Sequence, residues 1–516
     1  MKNYIKYVIA LSMILCQLHD VYTQIGFHNL LALELNEPNN PTAIAETENE
    51  YLVFGQYFDQ EIGRWTSMFT RYTKQGEFIE VLTLTNDTTN FIEETPVILS
   101  NDYDYYAVAN GPLNSMKLIE YQEDNPSINT YLSFDKKKDD FAPTSFSFDE
   151  QKENFFFSGR NLDLGPNNDQ DIKLLRIGQL ETKTFTIRND DFIDRAMTIL
   201  QDKDGNYITA CTRKDKVTLS DKDDISQTYI SIFDQDLNLV FYPDIGVESI
   251  QMSLGYGMLL DQYNNIIVTG YDRIFNEQLD AFVNHACIAK FDSSGQPLWK
   301  KIMGNNAGNT IGYGHWQSII DSKEGDGYIV VGAQNRLDFE MDSAYIPTAA
   351  IAKLSYEGDS LWTRTYSFRD AKSSIVELFS DVILSEDGHY VACGQSQDSD
   401  YTTAVLPWIQ SLIVKMDSNG IYDTTSVSTI DGMSEEENCI NISSTQNQSR
   451  IYFSQCTDKE VKVVINSMSG QIIEKFTLPN SNHTHILNTS HFPPGIYLAT
   501  TVGIGKEINS QKFLIH

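Results

Sequence analysis

The stretch from Ser318 to Tyr366, SIIDSKEGDGYIVVGAQNRLDFEMDSAYIPTAAIAKLSYEGDSLWTRTY, decides the fold. It reads as four short strands. SIID comes first, then an acidic Gly-containing turn (SKEGDG), then YIVVG, which ends on Gly332. After a long insert come AAIAKL with Lys353, the turn SYEGD, and LWTRTY with Trp362 near its start. Apolar residues on alternate positions between Gly, Asp and Ser turns mark a half-buried antiparallel meander.

Working outward, the strand that ends in glycine recurs. Its copies are YLVFG (51–55), YYAVAN (105–110), FFFSG (155–159), YITAC (207–211), IIVTG (266–270), YIVVG (328–332) and YVACG (390–394). The endings at 55, 109, 159, 211, 270, 332 and 394 lie 54, 50, 52, 59, 62 and 62 residues apart. A partner strand follows each one: TSMFTRY, MKLIEY, DIKLLRI, TYISIFD, ACIAKFD, AAIAKLS and SLIVKMD. That makes seven units. A four-stranded sheet cannot bury both faces alone, and radial stacking of sheets around an axis solves the problem. The fold class expected is therefore all-β: a seven-bladed β-propeller over residues 25–432, followed by a small Ig-like β-sandwich. A β-solenoid would need a shorter period, and two separate sandwiches would not repeat so regularly. The early strand LLALEL (Leu30–Leu35) is the candidate to complete the seventh blade.

Composition agrees with a β-protein. The chain has 516 residues, 41% of them hydrophobic, with 27 Tyr and 27 Phe, enough for a core and biased toward strands. A formal charge of −33 disfavours nucleic acid and anionic membrane surfaces as partners. Lys2, Lys6, the apolar run Tyr7–Leu18 and the small Thr23 read as a signal peptide over residues 1–24. The run is too short to span a bilayer, and no later transmembrane segment is expected. Leu15 before Cys16 disfavours lipidation. Past that segment lie Cys211, Cys287, Cys393, Cys439 and Cys456, an odd set without metal spacing. Cys439 and Cys456 either pair in an oxidising compartment or stay as buried thiols.

The repeats resemble a family common in secreted proteins of Bacteroidetes-like bacteria. The likeness rests on Ser318, Ile319, Ile320, Gly327, Tyr328, Gly332, Lys353 and Trp362. The next copy carries it at Asp387, Gly388, Tyr390, Gly394, Lys415, Asp417 and Gly420, and the previous one at Lys290, Asp292, Gly295 and Trp299. The stretch 289–301 is also similar to the Trp-docking motif of quinoprotein propellers. Only Trp299 and Trp362 keep that Trp, so the tryptophans read as blade packing and no cofactor is expected.

Inserts between second and third strands differ from blade to blade and must emerge on one face, the usual place for specificity. They carry Asp272, Asp280, Asp342 and Asp398 with the aromatics Phe339, Tyr345, Tyr401 and Trp408. Such a face suits cations, calcium-bridged glycans or a basic partner, while solvated loops are the plainer reading. Asp202–Asn206 opens like a calcium loop, but Arg213 stands where the closing Glu is needed, so it reads as an inter-strand turn. No HExxH, GxSxG, phosphate loop or dinucleotide fingerprint occurs, and the histidines are scattered.

After the seventh unit the period is lost. Residues 433–445 read as a linker and 446–516 as a separate unit of strands. That unit resembles the type A C-terminal sorting domain of the type IX (Por) secretion system. The positions that carry the likeness are Gly470 and Gln471, Pro494, Gly495, Ile496 and Tyr497, and Lys512 with the three residues after it. The family's opening Tyr-Pro-Asn-Pro box is missing. The resemblance implies export by the type IX machinery to the surface or medium. The expected role is an extracellular binding module for a glycan, surface or protein partner. The rivals are a hydrolase or lyase with acids on the loop face, and a structural spacer.

Overall fold

A computed structural model shows the chain to be all-β. It describes residues 27–31, 39–59, 64–83, 99–101, 104–110, 115–123, 126–135, 141–149, 154–161, 171–178, 181–187, 192–215, 226–243, 248–252, 257–276, 281–303, 314–338, 344–366, 368, 376–398, 408–422, 440–444, 450–455, 461–467, 472–478, 484–488, 495–503 and 510–515. The chain divides into two compact units, Met1–Ser426 and Val427–His516.

The first unit is a seven-bladed propeller. Blade 1 is Asn39–Glu46, Glu50–Asp59, Arg64–Thr73 and Phe78–Thr83; blade 2 is Leu99–Asn101, Asp104–Asn110, Ser115–Gln122 and Ser127–Asp135. Blade 3 is Ala142–Asp149, Asn154–Arg160, Ile172–Ile177 and Thr182–Ile187; blade 4 is Phe192–Gln201, Tyr207–Asp215, Ser226–Phe233 and Leu239–Phe241. Blade 5 is Met258–Leu260, Ile266–Asn276, Ala281–Phe291 and Pro297–Ile302; blade 6 is Gly314–Asp321, Gly327–Asp338, Ala344–Ser355 and Ser360–Tyr366. Blade 7 takes Val376–Leu384, Tyr390–Asp398 and Trp408–Met416 from the chain's far end and Phe27–Leu31 from its start.

That last strand fastens the ring. Phe27 lies opposite Lys415 and Leu31 opposite Ser411 in an antiparallel ladder. The closing strand thus begins three residues earlier than the Leu30–Leu35 reading; Leu30 and Leu31 belong to it, and residues 32–35 lie outside the described set.

Each signature residue of the repeat has a packing reason. The glycine that ends the second strand sits against a β-bulge in the first. The bulges fall between Pro41 and Ala43, Pro143 and Ser145, Trp316 and Ser318, and Phe379 and Asp381. A Cβ on Gly55, Gly159, Gly332 or Gly394 would collide with the carbonyl oxygen of Asn40, Ala142, His315 or Leu378. The acid that opens the third-to-fourth turn ties it down. In blade 5, Asp292 Oδ1 accepts the backbone N–H of Ser294 at 2.9 Å and of Gln296 at 3.0 Å. The turn glycine has positive φ, 87° at Gly295 and 79° at Gly358, which L side chains rarely adopt. An aromatic ring on the previous blade's outer strand packs onto that glycine. A Cβ at Gly295 would lie 2.6 Å from the Phe241 ring, at Gly358 2.6 Å from Trp299, and at Gly420 2.8 Å from Trp362.

The basic residue of the third strand sits at the seam; Lys290, Lys415 and Arg176 reach the next blade, whereas Lys353 and Arg71 bond acids of their own blades. Lys290 Nζ lies 2.9 Å from Asp261 of its own blade and 3.2 Å from the hydroxyl of Tyr328, which opens the second strand of blade 6. Tyr328 in turn donates to Asp261 at 3.1 Å. Lys415 pairs with Asp387 and lies 5.5 Å from the ring centre of Tyr51, joining blade 7 to blade 1. Lys353 bonds Glu324 at 3.0 Å and Asp326 at 2.8 Å, while the N–H of Lys323 donates to the Tyr390 hydroxyl at 3.0 Å. Arg71 holds Glu50 at 2.6 Å, and Arg176 reaches the Gln235 carbonyl of blade 4 at 2.8 Å.

The second unit has two sheets. One contains Ile440–Ser444, Arg450–Gln455 and Thr484–Asn488; the other orders Ile472–Leu478, Val461–Ser467, Gly495–Gly503 and Ser510–Ile515 side by side. No helix among the described residues is long and apolar enough to cross a membrane.

Candidate functional site

In a meander whose first-to-second and third-to-fourth turns share one face, the second-to-third connections open on the other. In blades 5 and 6 the described residues of these inserts are strand. In blade 6 the middle hairpin runs on to Asp338 and resumes at Ala344; in blade 5 it runs to Asn276 and resumes at Ala281. The ladder Asn276↔Ala281 and Asp338↔Ala344 continues the sheet well past Gly270 and Gly332, so in these two blades the described part of the insert is extended sheet.

Two residues past the repeat's strand-ending position, the blades stop resembling one another. Blade 4 has Arg213, paired through both ends of its guanidinium with Asp194 at 2.7 Å and 2.7 Å and donating to the Tyr242 hydroxyl at 2.6 Å. Burial depresses the guanidinium's pKa, but the bidentate carboxylate outweighs it and holds the value above the ordinary one. Blade 5 has Asp272, 4% exposed, bonded to Lys300 at 2.8 Å and facing His285 across the ladder. Burial lowers the His285 pKa against the pull of Asp272. In blade 7 Ser396 donates to Glu377 at 3.2 Å, and Glu377 also accepts the N–H of Phe368 at 3.0 Å. In blade 3 the Asn161 side chain donates to Asp171 at 3.0 Å and accepts its N–H at 2.7 Å.

This tier is built of closed pairs. Among the described residues no group of three or more His, Cys, Asp and Glu is placed to hold a metal ion. Cys211, Cys287 and Cys393 are free and buried, with burial raising the thiol pKa of each. Asp202 caps a tight turn, accepting the N–H of Asp204 at 2.9 Å and of Asn206 at 2.8 Å.

Of the sequence-derived face residues, Asp272 lies in the sheet with its charge already paired, not in a loop. Tyr345 falls in the third strand of blade 6, Asp398 ends the second strand of blade 7 and Trp408 begins its third, opposite Asp398. Asp280, Phe339, Asp342 and Tyr401 lie outside the described residues. Sequence reading missed Arg213, Asp194, Lys300 and Glu377; for Arg213, Asp194 and Glu377 the signal was their place two positions past the repeat or opposite it, where the pattern breaks, whereas Lys300 in the fourth strand carried none.

In the second unit, Gly495, Ile496 and Tyr497 lie opposite Ile515, Leu514 and Phe513, and Lys512 lies opposite Leu498. The two motifs that carry the sorting-domain likeness are thus neighbouring strands. Gly470, Gln471 and Pro494 are outside the described residues, as are Cys439 and Cys456.

Fold and tail together define a class: a β-propeller protein addressed for export. Residues 434–516 match the secretion system C-terminal sorting domain family, which places the chain among type IX-sorted propeller proteins bound for the cell surface or extracellular space. No curated protein matches. Among solved structures, the periplasmic gluconolactonase of Pseudomonas aeruginosa is similar at 9% identity and TM-score 0.37, over 87% of this chain and 99% of that one. The β-propeller domain of the Trilobed protease from Pyrococcus furiosus is similar at 9% identity and TM-score 0.39, over 76% of this chain and 99% of that one. A Bombyx mori GH32 β-fructofuranosidase aligns at 12% identity and TM-score 0.30, over 71% of this chain and 84% of that one.

Proposed function

We propose that the propeller is an extracellular binding module that presents its hairpin-bearing face to a glycan, surface or protein partner. The observation that carries this reading is the break in the repeat. Up to the strand-ending position five of the seven blades share the glycine and five the third-strand base, whereas above it each of blades 4, 5 and 7 has its own polar pairs. A ring needs no such variety for closure, and variable segments on a rigid scaffold are where recognition is placed. The buried pairs brace the hairpin bases, so that the recognising residues are held on extended sheet rather than on loose loops. Because the acids of this tier are already bonded to partners, they support bracing rather than proton transfer.

The test is a glycan and protein array probed with the full chain, with and without calcium. Binding that is lost when the blade 6 hairpin is shortened supports the module. Failure to bind on either array sinks it, and turnover of a captured glycan would assign the face to hydrolysis instead.

A further inference from the structure

Side chains meet across the seams between blades in a repeating pattern. The first-strand residue just past the bulge and the second-strand residue opposite it face the following blade. In that blade, the residue two before the strand-ending position and its third-strand partner face back. Between blades 1 and 2 these four are Ala43 and Phe54, then Ala107 and Ile119, all buried in one apolar cluster. Between blades 6 and 7, Val331, Ala392 and Val414 share a cluster, and the Ser318 hydroxyl donates to Asp381 at 2.7 Å. Blades 4 and 5 also meet through apolar residues, Ile232 and Ile266 among them.

The seam between blades 3 and 4 departs from this. Its four residues are Ser145 and Ser158, then Thr209 and Ser231. The stacked rings of Phe156 and Tyr207, with centroids 3.5 Å apart, fix how the two sheets face each other, and Ser158 and Thr209 lie two residues farther along those same faces. Thr144 of blade 3 also donates to the Ala196 carbonyl of blade 4, joining the two first strands beside them. Ser145 is 1% exposed and the other three 0%, yet none of the four hydroxyls has a hydrogen-bond partner among the described residues. The Cys211 thiol lies beside Ser231 but turns its S–H to the Thr209 carbonyl at 3.7 Å. A buried hydroxyl left bare is costly, and such groups are nearly always bonded to protein or to ordered water.

We propose that the seam between blades 3 and 4 is a binding site for a small cluster of internal water molecules, held by Ser145, Ser158, Thr209 and Ser231. A buried water makes about three hydrogen bonds, so one or two molecules can serve hydroxyls on both blades at once. Ser158 and Ser231 stand where the first seam has the larger Phe54 and Ile119, and the difference in side-chain volume provides the space. Bridging water does here what apolar contact does between blades 1 and 2.

Magnetic relaxation dispersion of oxygen-17 water tests this on the full chain, because it counts internal waters that stay bound while the protein tumbles. Three proteins are compared: the natural chain, Thr209→Val, which keeps the side chain's shape, and Thr209→Val with Ser158→Val, which installs the two valines that blade 6 has at these positions (Val330 and Val331). The dispersion amplitude should fall by about one water molecule per chain or more in the double variant. Urea unfolding of Thr209→Val should show the unfolding equilibrium constant raised about five-fold, the loss of one hydrogen bond. Should the double variant fail to fold, the amplitude of Thr209→Val against the natural chain decides. Equal amplitudes would overturn the site. So would a Thr209→Val chain more stable than the natural one, the result expected of a hydroxyl that stands dry.

Discussion

The backbone N–H of Ile44 donates to Oδ2 of Asp381 at 3.1 Å, although 337 residues separate them. Asp381 lies just past the bulge of the first strand in blade 7, where blades 3, 4 and 6 have Ser145, Thr198 and Ser318. Its other oxygen accepts the Ser318 hydroxyl at 2.7 Å and the Val382 N–H at 2.9 Å. One carboxylate therefore spans blades 6, 7 and 1, at the seam where the chain's two ends meet.

Burial pushes the Asp381 pKa up to about 6, against the lowering effect of these three donors. The folded protein then keeps this proton between about pH 4 and pH 6, where the unfolded chain has lost it, so the stability it contributes is full below pH 4 and falls away as pH rises to 6. Urea unfolding of the natural chain and Asp381→Asn across pH 4–7 should show the natural chain losing about 1–3 kcal/mol relative to the variant over that interval. A difference that is flat with pH would show that Asp381 does not titrate there.

Lys290 and Lys353 occupy one repeat position but should differ when replaced. The Asp261 side chain is 0% exposed, whereas Glu324 and Asp326 are 40% and 52% exposed. Lys290→Ile strands a buried carboxylate and should cost about 3–5 kcal/mol, while Lys353→Ile leaves its partners to water and should cost about 1 kcal/mol or less of electrostatic stabilisation. Adding Asp261→Asn to Lys290→Ile should recover part of the loss, moving the seam toward the apolar Ile232–Ile266 pair. Equal denaturation midpoints for the two single variants would refute this ordering.

Gly394→Ala should destabilise by about 3 kcal/mol or more, because its Cβ meets the Leu378 carbonyl in a bulge that cannot yield without shifting two strands. Gly325→Ala has nothing within 4 Å and only a φ of 63° against it; about 1 kcal/mol is expected. Thermal midpoints in that order would separate steric from conformational glycines.

The propeller is closed by Phe27–Leu31, and its last described residues are pinned by Tyr422, whose ring lies 5.5 Å from Tyr366 and 5.7 Å from Phe368. Among the described residues, each propeller strand pairs with another strand of the first unit. Deleting residues 433–516 should leave a cooperatively folding propeller that accumulates in the periplasm, whereas deleting residues 27–31 should lower its melting temperature. Fractionation and thermal melts check both, and export of the tail-less chain would contradict the sorting role.

Much of this was legible before folding. The alternation of apolar residues gave the strands, and the glycines with their Asp and Ser partners gave the turns. Seven copies of an apolar strand, five of them ending in Gly, gave the blade number. The tryptophans read as blade packing, and Trp299 against Gly358 shows why. The face residues were harder. Asp272 looks like a loop acid because nothing local opposes it, yet its neutralising partner Lys300 is 28 residues on and arrives only when the fourth strand pairs. Likewise Lys415 and Tyr51 are each visible as repeat positions, but not as a couple.

By itself the sequence determined the sheet, the turns, the repeat count and the address on the tail. These depend on side-chain period, on backbone freedom at glycine and on contiguous motifs, all properties of neighbouring residues. Tertiary structure alone decided the register of the strand that closes the ring and which acids are spent on internal bases. Those outcomes arise where one blade's third strand meets the next blade's second, and charge pairing across such seams joins residues that chain order keeps far apart.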